Sequence, residues 1–257
     1  MIVDFAPDAG RLRLDLEAFD ALVAGGDADA VAYLRDAGLL DGDVVHPAIR
    51  PAVEAARAPV CVVDVAVAGT QGSTEHRMWL APAAAACLLH VSDGMYQVFV
   101  VDPTRVPALV AKVVRLGPRP RLTPGAVPCP FVVVAGLTAP DAEQRAASVD
   151  RLAETCPTEW AEWAEELRGG RWRMWSARTT WPATDLTPTG RAVTVLDTPV
   201  GVVRVDEPQV DVADATDQTS LTATTPTEIW LELTRLLPTD ADLSRAAAGP
   251  HPLGAGG

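Results

Sequence analysis

The sequence predicts an α+β fold of two quasi-symmetric halves, in which each half is an antiparallel sheet closed by a helix. The first observation is a helical phrase that occurs twice, at residues 102–118 and 225–238. Each copy begins with a Pro-Thr pair, which suits a helix start, and ends at a proline, which stops the helix. The second observation is that a run of strand-like segments precedes each copy. Together they predict an internal duplication; two unrelated amphipathic helices with the same start signal are the alternative.

The duplication depends on the apolar positions of the two helices. When the copies are aligned on Pro-Thr, both place apolar residues at the i, i+4, i+7 and i+8 positions that form one helix face. We therefore expect each helix to bury this face on the sheet of its own half. The coincident pairs are Val106 with Ile229, Val110 with Leu233, Val113 with Leu236, and Val114 with Leu237.

The first half is predicted to consist of an N-terminal helical cluster and a sheet. The first sixty residues are helical in pattern: apolar stripes recur at helical spacing, and glycines follow the first two stripes. From Val60 the apolar period changes to two, which predicts an antiparallel meander up to residue 101. Ser92-Asp93-Gly94 is a hairpin signal within this meander.

The second half is predicted to repeat this plan after a helical insertion. The proline-rich stretch at residues 119–130 is expected to lack regular structure and to separate the halves. A short strand is predicted at residues 131–135, followed by the helical insertion at residues 139–167. Four further strands are predicted at residues 172–180, 192–196, 200–205 and 221–224. An acidic loop is predicted at residues 206–218, between the last two of them.

The chain is predicted to form one domain over residues 1–238. Its halves span about residues 1–118 and 131–238. Residues 239–257 are rich in Gly, Pro and Ala and offer little to bury, so we expect a disordered tail there.

Composition and charge narrow the classes of function. The 257 residues carry a formal net charge of -13, which disfavours nucleic acid and anionic membranes as partners. The sequence begins without a secretory signal, and it lacks an apolar run of the roughly 20 residues that cross a membrane. We therefore expect a cytoplasmic protein that does not insert into membranes.

Residues suited to catalysis or metal binding form no recognisable site in the sequence. Phosphate-binding loops, dinucleotide-binding turns, nucleophile elbows and zinc-binding His-Glu-x-x-His helices are absent, and the four cysteines lack Cys-x-x-Cys spacing. His76 and His90 lie on neighbouring predicted strands. With Asp64 or Glu75 they form a weak metal signal, to which two surface histidines are the alternative. The sequence predicts no enzyme, no cofactor and no metal.

Tryptophan is unusually frequent in this chain. Seven tryptophans accompany only four phenylalanines and two tyrosines. Trp172 and Trp175 are an odd number of positions apart, so on one strand they face opposite sides of the sheet. Either helices cover both faces, or some indoles are exposed as anchors of a protein interface.

Five short phrases are spread over most of residues 30–238, and none of them is a catalytic signature. The phrases are Leu34-Arg35-Asp36-Ala37-Gly38-Leu39-Leu40 with His46-Pro47, Trp79-Leu80-Ala81-Pro82, Arg115-Leu116-Gly117-Pro118-Arg119-Pro120, Val195-Leu196-Asp197-Thr198-Pro199-Val200-Gly201 and Thr225-Pro226-Thr227-Glu228-Ile229-Trp230. Together they resemble the EspG-like proteins of actinobacteria, a family associated with type VII (ESX) secretion.

The resemblance implies a quasi-two-fold α+β fold and a function without catalysis. Members of the family are cytosolic chaperones that bind the tip of a helical PE/PPE secretion substrate and keep it soluble. For this chain the resemblance therefore implies a helical partner, of the PE/PPE or WXG100-like type. A stand-alone interaction or regulatory module with a non-secreted partner is the main alternative, and an enzyme on an unrecognised scaffold is another.

A surface that covers an apolar helical tip needs an apolar patch rimmed by polar groups. The sequence offers two places for it. One is the polar turn at residues 69–74, with Gln71 and Ser73. The other is the helix that carries Trp160 and Trp163. These four residues are the predicted partner-binding residues.

Overall fold

An antiparallel sheet of eleven strands runs through both halves of the chain. The computed structural model describes residues 1–92, 94–182, 188–206 and 218–247. The strands of this sheet are β1 (Val3–Ala6), β2 (Arg11–Asp15), β5 (Cys61–Gly69), β6 (Gly72–Leu80), β7 (Ala85–Ser92), β8 (Met95–Val101), β9 (Ala126–Pro130), β10 (Arg173–Pro182), β11 (Pro188–Thr198), β12 (Gly201–Asp206) and β13 (Gln218–Thr224). A separate hairpin consists of β3 (Leu40–Asp41) and β4 (Val44–Val45). The helices are α1 (Leu16–Ala24), α2 (Ala28–Asp36), α3 (Arg50–Arg57), α4 (Val106–Val113), α5 (Phe131–Gly136), α6 (Ala142–Thr155), α7 (Ala161–Arg168), α8 (Pro226–Thr234) and α9 (Asp240–Ala247).

The order of the strands shows the duplication. It reads β1-β2-β8-β7-β6-β5-β10-β11-β12-β13-β9, so the first strands of the two meanders, β5 and β10, meet at the centre. Besides β1 and the β3–β4 hairpin in the first half, both halves contain, in the same order, an outer strand, three helices, a four-stranded meander and a closing helix. These are β2, α1–α3, β5–β8 and α4 in the first half, and β9, α5–α7, β10–β13 and α8 in the second. The predicted α+β fold is confirmed, and its two halves form one continuous sheet.

The helices cover the two faces of the sheet differently. On one face α4 and α8 lie side by side and bury the duplicated apolar stripe, including Val110 and Leu233, against β5 and β10. On the opposite face, α1–α3 pack over one end of the sheet around Leu88, and α5–α7 pack over the other end around Leu196. Paired residues on neighbouring strands point to the same face of the sheet. The register across β7, β6, β5, β10 and β11 therefore places Leu88 and Leu196 on one face, which the two clusters share.

The duplicated helices begin in related ways. The Thr225 hydroxyl accepts a hydrogen bond from the Glu228 backbone N–H, and the Glu228 carboxylate accepts one from the Thr225 N–H, which forms a capping box. Before α4, a single 3-10 turn replaces the box, and the Asp102 carboxylate accepts from the Thr104 N–H. The Pro-Thr pair therefore marks the start of both helices, as predicted.

Two predictions about strands are wrong. The first sixty residues are not all helical, because β1 and β2 pair as a hairpin at the sheet edge. Leu12 and Leu14 are buried while Arg11 and Arg13 are exposed, the period-two pattern of a half-buried strand. The proline-rich stretch is also not wholly irregular, since it contains β9. This strand lies at the other sheet edge, where a proline's missing N–H removes no ladder bond.

Two predictions about helical regions are also wrong. Residues 131–135 were predicted as a strand from their β-branched residues, but they belong to α5, whose Val133 and Val134 pack in the core beneath α6. Packing against neighbouring helices outweighs the weak helix propensity of valine there. The predicted disordered tail begins with α9, in which Leu243 packs against the central core. Residues 248–257 of that tail and 207–217 of the predicted acidic loop lie outside the described residues.

The connection between the halves is fixed by a buried carboxylate. Asp197, which is 5% exposed, accepts hydrogen bonds from Arg119 Nε at 2.8 Å and Arg119 Nη2 at 3.0 Å. It also accepts one from Arg173 Nη2 at 2.7 Å. Arg119 follows α4, and the other two residues belong to β11 and β10. The trio therefore ties the end of the first half to the sheet of the second.

No helix in the described ranges is long and apolar enough to cross a membrane.

Candidate partner-binding surface

The hairpin of β5 and β6 projects a turn from the centre of the sheet. Gly69 pairs with Gly72 at its end, so Thr70 and Gln71 form the tip. Gly72 has a φ of 110°, a backbone conformation that side-chain-bearing residues rarely adopt. Gln71 and Ser73 are both exposed. The polar turn predicted from the sequence therefore lies at the surface, next to the junction of the two halves.

Concave surfaces surround this tip. A cavity of about 620 Å³ lies on the α4 side of the hairpin, bounded by the ends of α4, β7 and β10. A second, of about 350 Å³, lies between Thr70, α6 and α7. A third, of about 250 Å³, separates the tip from the α5–α6 connection. A partner that contacts Gln71 has indentations within reach on both sides of the hairpin.

The sheet face between the two helical clusters is open at its middle. There Asp64 and Arg77 lie opposite each other on β5 and β6 and form an ion pair of 2.6 Å between Oδ1 and Nε. Their side chains are 42% and 54% exposed, and Ala66 beside them is also exposed. Trp79 borders this strip, with its ring stacked on Phe19 at 4.9 Å. The strip is therefore an exposed, polar part of the sheet surface between the two helical clusters.

The 620 Å³ cavity has a mixed lining, in which the charged side chains are arginines. Arg115 and Arg173 line it together with His76, His90 and Gln97, beside apolar residues of β5, β7 and the end of α4. The Nδ1 atom of His76 accepts a hydrogen bond from the His90 backbone N–H at 3.1 Å. Burial and the nearby His90 lower the pKa of His76 to about 4, so this ring is neutral at physiological pH.

The structure separates the four predicted partner-binding residues into two groups. Gln71 and Ser73 are exposed at the hairpin tip. Trp160 and Trp163 are 1% and 0% exposed and form an edge-to-face pair, 6.0 Å between centroids, inside the core under α5–α7. Because a buried indole offers no surface, the prediction that these two tryptophans contact a partner is wrong. Trp163 lies on the core-facing stripe of α7, and Trp160 lies in the single 3-10 turn just before this helix.

The residues of the weak metal signal lie on opposite faces of the sheet. His76 lies on the face covered by α4, whereas Asp64 and Glu75 occupy positions on the opposite face. In the described part of the chain, no group of three or more His, Cys, Asp or Glu side chains has a geometry that could hold a metal ion.

Sequence reasoning missed Arg115, Arg173 and Asp197 as residues of interest. Two of them occur in the phrases that carry the family resemblance, Arg115-Leu116-Gly117-Pro118-Arg119-Pro120 and Val195-Leu196-Asp197-Thr198-Pro199-Val200-Gly201. Those phrases meet in space through the ion pair of Arg119 with Asp197. The available signal was the presence of opposite charges in two otherwise apolar phrases.

Comparison with known proteins gives a likeness of fold. The chain is similar to the Mycobacterium tuberculosis type VII secretion system chaperone EspG5, in a structure of its complex with the PE25-PPE41 dimer. The TM-score is 0.55 at 13% sequence identity, and the match covers 89% of this chain and 97% of that one. No protein-family model matches the chain, and no curated protein matches it either.

Proposed function

We propose that this chain is a non-catalytic, chaperone-like protein that binds a helical secretion substrate in the cytoplasm. The observation that carries the proposal is the likeness of fold to EspG5, which extends over 89% of this chain and 97% of that chaperone. EspG5 is bound to a PE25-PPE41 dimer in that structure. The corresponding partner of this chain is a helical protein of the PE/PPE or WXG100-like type.

The surface around the β5–β6 tip supports this proposal. Its exposed Gln71 and Ser73 offer hydrogen-bonding groups, and the cavities beside the tip accept protruding side chains. The open strip next to it, between the two helical clusters, is a stretch of uncovered sheet on which a helical end could lie. We therefore assign the partner contact to the hairpin tip, and no longer to Trp160 and Trp163.

A co-expression experiment tests the chaperone role. Candidate helical secretion substrates from the same genome are produced alone and together with this chain, and the soluble fraction of each is measured. The proposal expects at least one that aggregates alone but co-purifies with the chain as a stable complex. If the tagged chain from its native host instead retains only a non-secreted protein, the interaction-module alternative replaces the chaperone role.

Paired variants test the assigned surface. Gln71→Ala with Ser73→Ala removes polar groups from the tip, and Gln218→Ala changes an exposed glutamine at the start of β13. Affinity for the co-purified substrate, measured by calorimetry, is expected to fall about tenfold or more in the tip variant, since truncating a hot-spot residue costs about 2 kcal/mol or more. It is expected to be unchanged in the control. Equal affinities for both variants would remove the tip from the interface.

A further inference from the structure

The 620 Å³ cavity beside α4 is basic in a chain that is strongly acidic. Arg115 and Arg173 line it, and no Asp or Glu is among the described residues of its wall. The whole chain carries a net charge of -13, so this local balance is opposite to that of the protein. A cavity of this size lies within the range of small-molecule sites, roughly 300 to 1,000 Å³.

Arg115 occupies a position that glycine normally fills. It follows the last turn of α4 with a φ of 52°, and among the described residues it is the only non-glycine residue with positive φ. The next N–H, of Leu116, bonds back to the Ala111 carbonyl at 2.8 Å, as expected where a helix ends in a left-handed residue. Such outliers cluster at functional sites, where the side chain has a use that offsets the backbone strain.

Arg115 and Arg173 are incompletely satisfied within the described ranges. Arg115 is exposed, and its guanidinium has no hydrogen-bond or carboxylate partner there, so it is open to a ligand. Arg173 donates from Nη2 to Asp197, but Asp197 is shared with Arg119, so the trio keeps one positive charge. The Arg173 Nε atom is buried without an acceptor among the described residues, so Arg173 acts on the cavity mainly through its charge. An oxyanion entering the cavity would be attracted by the excess positive charge of the trio and of Arg115.

We propose that this cavity is a binding site for a small oxyanion, the phosphate or carboxylate group of a small molecule, held by Arg115 and Arg173. The planar Arg115 guanidinium matches either oxyanion with paired N–H donors, and Arg173, whose Nη2 atom is held by Asp197, adds positive charge beside it. The Nε2 atom of His76, on the cavity floor, lies 3.4 Å from the Thr74 hydroxyl and offers a further polar group. Gln71 and Ser73 also line this cavity, so it borders the proposed partner surface, but the oxyanion site is tested on the isolated chain and does not rest on the proposed function.

Calorimetric titration of the full chain with two probes, inorganic phosphate and citrate, tests this site. Both titrations are run at constant ionic strength in chloride, so that general screening does not change. Saturable binding at one site per chain is expected for at least one probe. Phosphate alone identifies a phosphoryl ligand, citrate alone identifies a carboxylate ligand, and either result supports the site.

Three variants make the test specific. Arg115→Gln is expected to weaken binding by about tenfold or more, as for loss of a charged hydrogen bond. Arg115→Gly is expected to weaken it equally while leaving the thermal midpoint unchanged or higher, because glycine suits the positive φ. Arg105→Gln, at the opposite end of α4 and outside the cavity, is the matched control and is expected to bind as the parent does. The proposal would be overturned if neither probe bound saturably, or if the Arg105 and Arg115 variants lost equal affinity.

Discussion

Replacing the buried carboxylate that joins the halves, Asp197→Asn, is expected to lower the free energy of unfolding substantially. Asp197 is 5% exposed and accepts three hydrogen bonds of 2.7 to 3.0 Å from Arg119 and Arg173, whose side chains are each 22% exposed. Removing one partner of a buried ion pair typically costs about 3 to 5 kcal/mol. Because both arginines keep some access to water and asparagine retains one acceptor, we expect about 2 to 4 kcal/mol.

Urea unfolding at pH 7, followed by circular dichroism, measures this loss. The matched control is Asp64→Asn, which removes the carboxylate of the exposed pair with Arg77 at 2.6 Å. An exposed pair contributes about 0 to 1 kcal/mol, so the control should change stability little. If both variants lose the same amount, or Asp197→Asn loses less than about 1 kcal/mol, the account of the junction between the halves is wrong.

Three further predictions concern stability. Trp160→Phe is expected to cost about 1 kcal/mol more than Trp163→Phe in urea unfolding, because the Trp160 indole N–H donates to a backbone carbonyl at 3.0 Å and that of Trp163 has no acceptor among the described residues; equal costs would count against it. Thr225→Val removes the capping hydroxyl of α8 and is expected to cost about 0.5 to 2 kcal/mol. Hydrogen bonds from Thr225 and Thr224 lower the pKa of Glu228 below 4.5, so this stabilisation is present above pH 4.5 and is lost as the pH falls through the folded-state pKa. The variant should therefore lose less stability than the parent when the pH is lowered. Equal losses of stability in the two proteins on acidification would contradict this. Arg115→Gly is expected to raise stability by about 0.5 to 1 kcal/mol, and a loss would show that the left-handed conformation is not strained.

The duplication was predictable because both helices keep the same buried stripe. Val110 and Leu233 occupy equivalent positions on α4 and α8, and their periodicity is local, so it is readable without a structure. The outer strands were missed for different reasons. In β2 the alternation of apolar and charged residues around Leu12 and Leu14 covers only a few positions. The other strand, β9, contains prolines, which usually exclude strands. Both strands form because a sheet edge far along the chain is available to pair with them.

The candidate site was predictable only where it is made of a local turn. Gln71 follows Gly69 and precedes Gly72, and this spacing marks a hairpin tip directly in the sequence. The cavity beside it joins Arg115 and Arg173, which are 58 positions apart and meet only because β5 and β10 are neighbours. Trp163 was wrongly predicted to contact a partner, because composition gives the number of tryptophans in a chain but not the helix face on which they lie.

Site-specific cross-linking tests the central claim, that this chain binds a helical partner through the β5–β6 tip. A photo-reactive phenylalanine analogue replaces Gln71 at the tip or, in a second variant, Leu231, an exposed residue of α8. Each is irradiated in the native host, and the adducts are identified by mass spectrometry. The account predicts an adduct between position 71 and a helical secretion substrate, and none with that protein from position 231. An adduct of that substrate from position 231 alone, or a co-purified partner that never cross-links to position 71, would contradict it.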